Sequence, residues 1–145
     1  MQTFLPYPDF ARSAACLDYR RLGKQRVEAK QILNALADPA YGWQHHPAVQ
    51  MWRGHDMALA CYGWWVCREW RMRGYQDTLF GWFNQIYISG SIYTIHKPSW
   101  CGDGRFHASH RAALLAKDPA HYSQFGWTET PAINYWWPTK HNEVA

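Results

Sequence analysis

The sequence has few charged residues and no two cysteines at Cys-x-x-Cys spacing. Charged residues make up 18% of its 145 residues and hydrophobic residues 48%, which excludes a disordered chain and predicts one folded domain spanning residues 1–145. Its four cysteines lack the Cys-x-x-Cys spacing of a zinc site, and an apolar export segment is missing at the N-terminus. We therefore expect a cytoplasmic protein with reduced thiols.

Long apolar runs and several catalytic motifs are also missing. The most apolar stretch, residues 59–70, is interrupted by Arg68 and Glu69 and is shorter than the ~20 residues of a spanning helix. A Gly-rich phosphate loop, Gly-x-Ser-x-Gly and His-Glu-x-x-His do not occur. These absences argue against a membrane partner, motif-defined nucleotide hydrolases, serine esterases and zinc proteases. The histidine clusters at 45–46 and 107–110 lack a suitably spaced carboxylate, so we expect no metal and no cofactor.

The positive charge of the chain is concentrated in one segment. The formal net charge is +4, and residues 11–30 hold six basic residues against the acidic Asp18 and Glu28. The six are Arg12, Arg20, Arg21, Lys24, Arg26 and Lys30. This local excess favours a polyanionic partner, and the 17% aromatic content favours nucleic acid because bases stack on aromatic rings. A solvated helix face and an acidic protein partner are the alternatives.

The hydrophobic pattern predicts a mostly α, single compact domain with three main helices. The predicted main helices span about 11–36, about 49–73 and about 106–117, and a short helix runs from Pro119 to Tyr122. Two prolines, Pro6 and Pro8, predict an extended N-terminal arm. Residues 86–95 alternate β-branched and aromatic types about Gly90, which predicts a small β-hairpin.

One histidine stands where the second predicted helix needs an apolar residue. His55 falls on the stripe of that helix that faces the core. A buried polar group requires a hydrogen-bond partner. We predict that His55 is buried and oriented by a hydrogen bond, as a structural or site-supporting residue and not as a metal ligand.

Four sets of residues, taken in their order along the chain, form a recognisable pattern. They are Leu17-Asp18-Tyr19-Arg20-Arg21-Leu22, Gly54-His55 with a helix ending at Arg73-Gly74-Tyr75, Asp77-Thr78, and Ser109-His110-Arg111 through Lys117-Asp118-Pro119-Ala120-His121-Tyr122. This ordered set resembles the pyrimidine-dimer DNA glycosylase/AP lyase (phage endonuclease V) family. The opening Met-Gln-Thr-Phe-Leu-Pro-Tyr and the sequence of residues 21–28 are similar to a bacterial branch of that family. Residues 79–97 lie outside the resemblance and look like an insertion.

The resemblance implies a helical DNA-repair enzyme that bends duplex DNA and accommodates a flipped nucleotide. Its nucleophile would be the N-terminal α-amino group, a type of amine whose ordinary pKa of about 7.7–8.0 leaves a fraction unprotonated. Attack on the sugar would release a damaged or modified base, and elimination would then cleave the strand. The implied partner is DNA or a nucleotide, and we expect a monomer.

This chain departs from the family pattern at two positions. The family's catalytic glutamate directly follows the Tyr-Arg pair, where this chain has Arg21. Glu28, about two helical turns further along, is the candidate carboxylate. Bulky Gln2 should prevent removal of the initiator methionine, so the nucleophile would be the α-amine of Met1.

The candidate site follows from this comparison. Met1 and Glu28 are the catalytic candidates, Tyr19 and His55 the supporting ones, and the phosphate-binding candidates are Arg20, Arg21, Lys24 and Arg26. Because Arg21 cannot act as a carboxylate, the alternative is a nucleic-acid or nucleotide-binding module that keeps the fold without the lyase chemistry.

Overall fold

The computed structural model describes residues 1–90 and 95–139, and of residues 88–90 only the backbone. The regular secondary structure of these residues is entirely helical. Its helices are α1 (Phe10–Cys16), α2 (Tyr19–Ala37), α3 (Pro47–Gln50), α4 (Asp56–Met72), α5 (Phe80–Gly90), α6 (Gly104–Lys117) and α7 (Pro119–Tyr122). A 3-10 turn, Ser123–Phe125, follows α7. The prediction of a mostly α fold is confirmed.

Two of the predicted helices are interrupted. Leu17 and Asp18 have extended backbones between α1 and α2, and the Asp18 side chain caps α2 by accepting from the N–H of Arg21. The predicted second helix is divided into α3 and α4 by a turn in which Gly54 has φ +85°. Apolar residues on both sides of each break enter the same core, so the hydrophobic pattern alone does not reveal the breaks.

The β-hairpin predicted over residues 86–95 is not confirmed. Residues 86–90 form the end of α5, so the strand predicted there is wrong, and residues 91–94 lie outside the described residues. α5 packs on α4, where a Cβ added at Gly63 would lie 2.4 Å from the buried Phe83 ring. Close helix packing therefore overrides the β-propensity of this segment.

The N-terminal arm runs through the core and is fixed on one side by α2 and α4. Gln2 to Pro6 are buried. Gln25 of α2 accepts from the N–H of Phe4 at 2.8 Å and donates to the carbonyl of Gln2 at 2.8 Å. The Tyr62 hydroxyl of α4 donates to the carbonyl of Phe4 at 2.9 Å. The arm is thus held as an extended peptide whose polar groups are satisfied by side chains.

Two buried histidines of α6 hold the other side of the arm. His110 Nδ1 accepts from the N–H of Leu5 at 3.0 Å, which requires an unprotonated Nδ1. His107 Nε2 accepts from the N–H of Gly102 at 2.8 Å, so its Nδ1 carries the proton and donates to the Leu5 carbonyl at 2.7 Å. Both histidines are therefore neutral in the folded protein.

His110 makes the fold sensitive to acid. Burial, with a smaller contribution from nearby His107, lowers the pKa of His110 from 6.5 to about 3. Between these values the unfolded chain binds a proton that the folded chain does not, so the free energy of unfolding decreases as the pH falls below 6.5. We expect a decrease of about 1.4 kcal/mol per pH unit from this residue alone, measured by urea unfolding from pH 7 to pH 4.

A non-titrating variant supplies the control for the acid effect. The amide oxygen in His110→Asn can still accept from Leu5 but binds no proton in this range. We expect lower stability at pH 7 and a flatter dependence on pH. An unchanged slope in His110→Asn would contradict the assignment.

Candidate functional site

A cavity of about 680 Å³ opens between the N-terminal arm, α2 and residues 117–135. Six of the eight predicted site residues line it, namely Met1, Tyr19, Arg20, Arg21, Lys24 and Glu28. The other lining residues are Gln2, Phe4, Asp18, Gln25, Lys117, Asp118, His121, Ile133 and Tyr135. The cavity is therefore cationic at its rim and holds carboxylates in its wall.

The period of α2 explains which of its side chains reach the cavity. Residues 20–21, 24–25 and 28 recur at spacings of three to four and share one side of the helix. Leu22, Ala29 and Ile32 are fully buried in the core. One helix thus supplies both a core face and a polar face.

Glu28 is tied to the N-terminal arm by one of its two oxygens. Oε2 accepts from the N–H of Gln2 and from Nε2 of Gln25, both at 3.1 Å. Among the described residues, the charged partner of Oε1 is Lys24 Nζ, at 3.6 Å, and the Lys24 side chain is 74% exposed. The carboxylate is thus fixed on one side and available to a ligand on the other.

The same hydrogen bond places the α-amino group of Met1. The Met1 nitrogen is three covalent bonds from the Gln2 nitrogen, so it lies within about 7 Å of Glu28 Oε2. Met1 is partly buried and lines the cavity. The amine and the carboxylate therefore belong to one site, on the polar face that also carries Arg20 and Lys24.

Arg21, at the position of the family's glutamate, is paired with a carboxylate. Its guanidinium lies 3.1 Å from Asp18 Oδ1, which also accepts from the Tyr122 hydroxyl. Burial raises the pKa of Asp18, but the hydrogen bonds from Tyr122 and Arg21 outweigh it and lower the pKa below its ordinary value. Asp18 is a second cavity carboxylate, which the sequence analysis did not name as a site candidate.

The rim of the cavity carries cations that the described carboxylates do not neutralise. Arg20 is exposed and its Nε lies 3.3 Å from the Tyr19 hydroxyl. Lys117, at the end of α6, is also exposed. Neither forms an ion pair within residues 1–90 and 95–139, and both are free to meet an anion.

Arg26 lies outside the cavity lining. Its guanidinium pairs with the buried Asp77 and lies 4.6 Å above the Trp70 ring. Asp77 in turn accepts from the N–H of Phe80 at the start of α5. Arg26 therefore links α2 to α5, and its proposed phosphate contact has no geometric support.

His55 also lies outside the cavity lining, contrary to the expectation of a buried, hydrogen-bonded residue. It precedes α4 and is partly exposed, and its side chain makes no capping hydrogen bond. The turn around Gly54 interrupts the predicted helix and displaces His55 from the core stripe. The sequence pattern could not show this displacement because it does not report the break.

His46, which the sequence analysis noted only within a histidine pair, precedes α3 directly. Its Nδ1 accepts from the N–H of Ala48 at 3.0 Å and so caps α3. Burial, and then the positive charge of the Met1 amine, lower the pKa of His46, while Glu28 opposes this shift. The lowered pKa favours the neutral form of the His46 ring.

The described ranges contain no group of three or more histidine, cysteine, aspartate or glutamate residues placed to hold a metal. Within these same ranges, every helix is too short or too polar to cross a membrane.

The N-terminal part of the chain matches a known protein family. The sequence model described as pyrimidine dimer DNA glycosylase matches residues 1–80, which include the arm and α1 to α4. Residues 109–122, which also carried the resemblance, lie beyond the match. The chain has no match among curated proteins or solved structures. Because the matched region covers more than half of the 145 residues, the chain belongs to the pyrimidine dimer DNA glycosylase family.

Proposed function

We propose that the protein is a DNA glycosylase with lyase activity that uses the Met1 α-amine as nucleophile and Glu28 as its carboxylate. The observation that carries this proposal is the hydrogen bond from the N–H of Gln2 to Glu28, which joins the amine and the carboxylate in one cavity. An amine beside a carboxylate is the pair that imine chemistry on a sugar requires.

The proposed reaction begins with the unprotonated amine. Its lone pair forms a bond to C1′ of a flipped nucleotide, and the electron pair of the N-glycosidic bond leaves with the base, which gains a proton. Opening of the sugar ring gives an imine between Met1 and C1′. Removal of a C2′ proton then expels the 3′ phosphate and cleaves the strand. Glu28 stabilises the cationic sugar and transfers the protons through Oε1.

Hydrogen bonding favours Glu28 over Asp18 for this role. Both Asp18 oxygens accept from Tyr122 or Arg21, and these bonds fix the start of α2. Glu28 Oε1, by contrast, has a longer contact of 3.6 Å to Lys24 Nζ, on a side chain that is 74% exposed. Glu28 therefore retains an oxygen for the substrate without loss of a structural bond.

The rim cations are proposed to bind DNA phosphates. Reversing two of them, in Arg20→Glu combined with Lys24→Glu, should remove about two contacts. We expect affinity for any duplex to fall and the slope of log affinity against log salt to flatten by about two units. Fluorescence anisotropy at several salt concentrations measures both.

A variant with the same charge change serves as the control. Arg68 and Arg71 are exposed on α4 and do not line the cavity. Reversing both to glutamate should leave the slope close to that of the parent protein. Equal losses in the two double variants would contradict a phosphate-binding role specific to the rim.

Borohydride trapping tests the proposed chemistry. An imine between the protein and abasic-site DNA is reduced to a stable secondary amine, so an active protein becomes covalently linked to the DNA. Binding of the same DNA without a covalent product would overturn the proposal and support a binding module, the alternative that Arg21 favours.

A further inference from the structure

An exposed tryptophan is held in a left-handed backbone between α2 and α3. Trp43 is 56% exposed and has φ +71°, the one positive φ of a non-glycine residue among those described. This conformation is unfavourable for a bulky side chain and persists only where the surrounding structure imposes it. A solvent-facing indole in a strained backbone indicates a role other than packing.

The loop is fixed by Gln44, the residue after Trp43. The side-chain nitrogen of Gln44 lies 2.7 Å from the Ala35 carbonyl and 2.9 Å from the Asp38 carbonyl at the end of α2. Arg53 adds contacts of 3.3 and 3.4 Å to Gln44 oxygens. These bonds anchor the backbone of the loop that carries Trp43 to α2.

A chain of ring contacts connects Trp43 to the cavity. The Trp43 and His46 rings are 5.8 Å apart, the His46 and Trp137 rings 6.1 Å, and the Trp137 and Tyr135 rings 5.7 Å. Tyr135, at the end of this chain of contacts, lines the cavity. The three contacts place the exposed indole within about 18 Å of the Tyr135 ring in the cavity wall.

We infer that Trp43 stacks on a base of the bound DNA beside the nucleotide that enters the cavity. This inference rests on the proposed function. A nucleotide that leaves the duplex deprives a neighbouring or opposite base of its stacking partner, and an indole can replace that partner. Because the loop is already anchored through Gln44, ordering its backbone on binding costs little conformational entropy. The cationic rim, including Arg20 and Lys24, attracts the anionic strand to the cavity.

The test uses a duplex with a tetrahydrofuran abasic analogue, which cannot form an imine, and 2-aminopurine at neighbouring or opposite positions. We expect Trp43→Leu to bind this duplex about 5- to 150-fold more weakly, the range typical of one lost base–aromatic stack. Trp43→Phe retains a flat ring and should recover most of the affinity. Binding should quench one of the 2-aminopurine positions with the parent protein and with Trp43→Phe but not with Trp43→Leu.

Three controls separate stacking from other effects. The intact duplex has no unstacked base, so Trp43→Leu should bind it like the parent, with an unchanged salt slope. Met72→Ala removes an exposed side chain outside the cavity, so its affinity and its 2-aminopurine quenching should equal those of the parent. Trp43→Gly relieves the backbone strain, so it should fold at least as stably as the parent while it loses the affinity.

Distinct results separate the failure of this inference from that of the proposed function. If the parent is trapped by borohydride but Trp43→Leu binds and quenches like the parent, the stacking inference is wrong and the proposed function stands. If Trp43→Leu weakens intact and abasic duplexes equally, Trp43 acts through a contact other than stacking and the inference is also wrong. A parent protein that binds no DNA would overturn both.

Discussion

A protein acetylated at the Met1 α-amine is expected to form no covalent complex with abasic-site DNA under borohydride. An amide nitrogen has a delocalised lone pair and cannot attack C1′, so imine formation and strand cleavage should both be lost completely. The Gln2 N–H that bonds to Glu28 is unaffected, so the arm should stay in place. Gel electrophoresis of the trapped complex measures the loss, and a melting curve confirms the fold.

Lys24 supplies the decisive control because it is the other amine close to Glu28, at 3.6 Å. Lys24→Arg keeps the positive charge and removes the nucleophilic amine. We expect this variant to be trapped like the parent. Trapping that survives acetylation of Met1 but disappears in Lys24→Arg would assign the nucleophile to Lys24.

Glu28→Gln is expected to abolish most base release and strand cleavage while DNA binding is retained. The amide oxygen of the new side chain can still accept from Gln2 and Gln25, so the arm and α2 should keep their positions. The variant loses the carboxylate charge and its proton transfer, which predicts a decrease of about 100- to 10,000-fold in single-turnover rate. Affinity should be unchanged or slightly higher because a negative charge near the rim is removed.

Glu69 offers a matched substitution away from the cavity. It pairs at 2.9 Å with Arg73, the residue directly after α4, and is not part of the cavity lining. Glu69→Gln should leave the single-turnover rate close to that of the parent. Base release that persists in Glu28→Gln, with the fold intact, would show that another carboxylate acts.

The sequence by itself determined the helical class and the position of the cationic helix. Apolar spacing and helix caps are local signals, so α6 and α7 lie close to their predicted bounds. The charge excess of residues 11–30 follows from counting the charged residues in the sequence. Three of its six basic residues, Arg20, Arg21 and Lys24, lie on the cavity face of α2, because the helical period fixes which residues share a side.

Tertiary structure decided which charged residues are available to a ligand. Arg20 and Arg26 are both basic residues of α2. Asp77, 51 positions beyond Arg26, forms an ion pair with Arg26 and not with Arg20. A long-range ion pair leaves no mark in local sequence, so Arg26 could not be separated from the rim cations. The break before α2 likewise made Asp18 a cap and a partner of Arg21.

The path of the N-terminal arm was also decided only by the tertiary structure. Prolines predict an extended backbone, but the burial of Gln2 to Pro6 depends on Gln25 of α2 and on His107 and His110 of α6. These partners lie between 21 and 105 positions along the chain from the arm residues that they bond. An extended peptide can be buried only when such side chains satisfy its polar groups. Sequence therefore identified Met1 and Glu28 as candidates, and long-range hydrogen bonding brought them into one cavity.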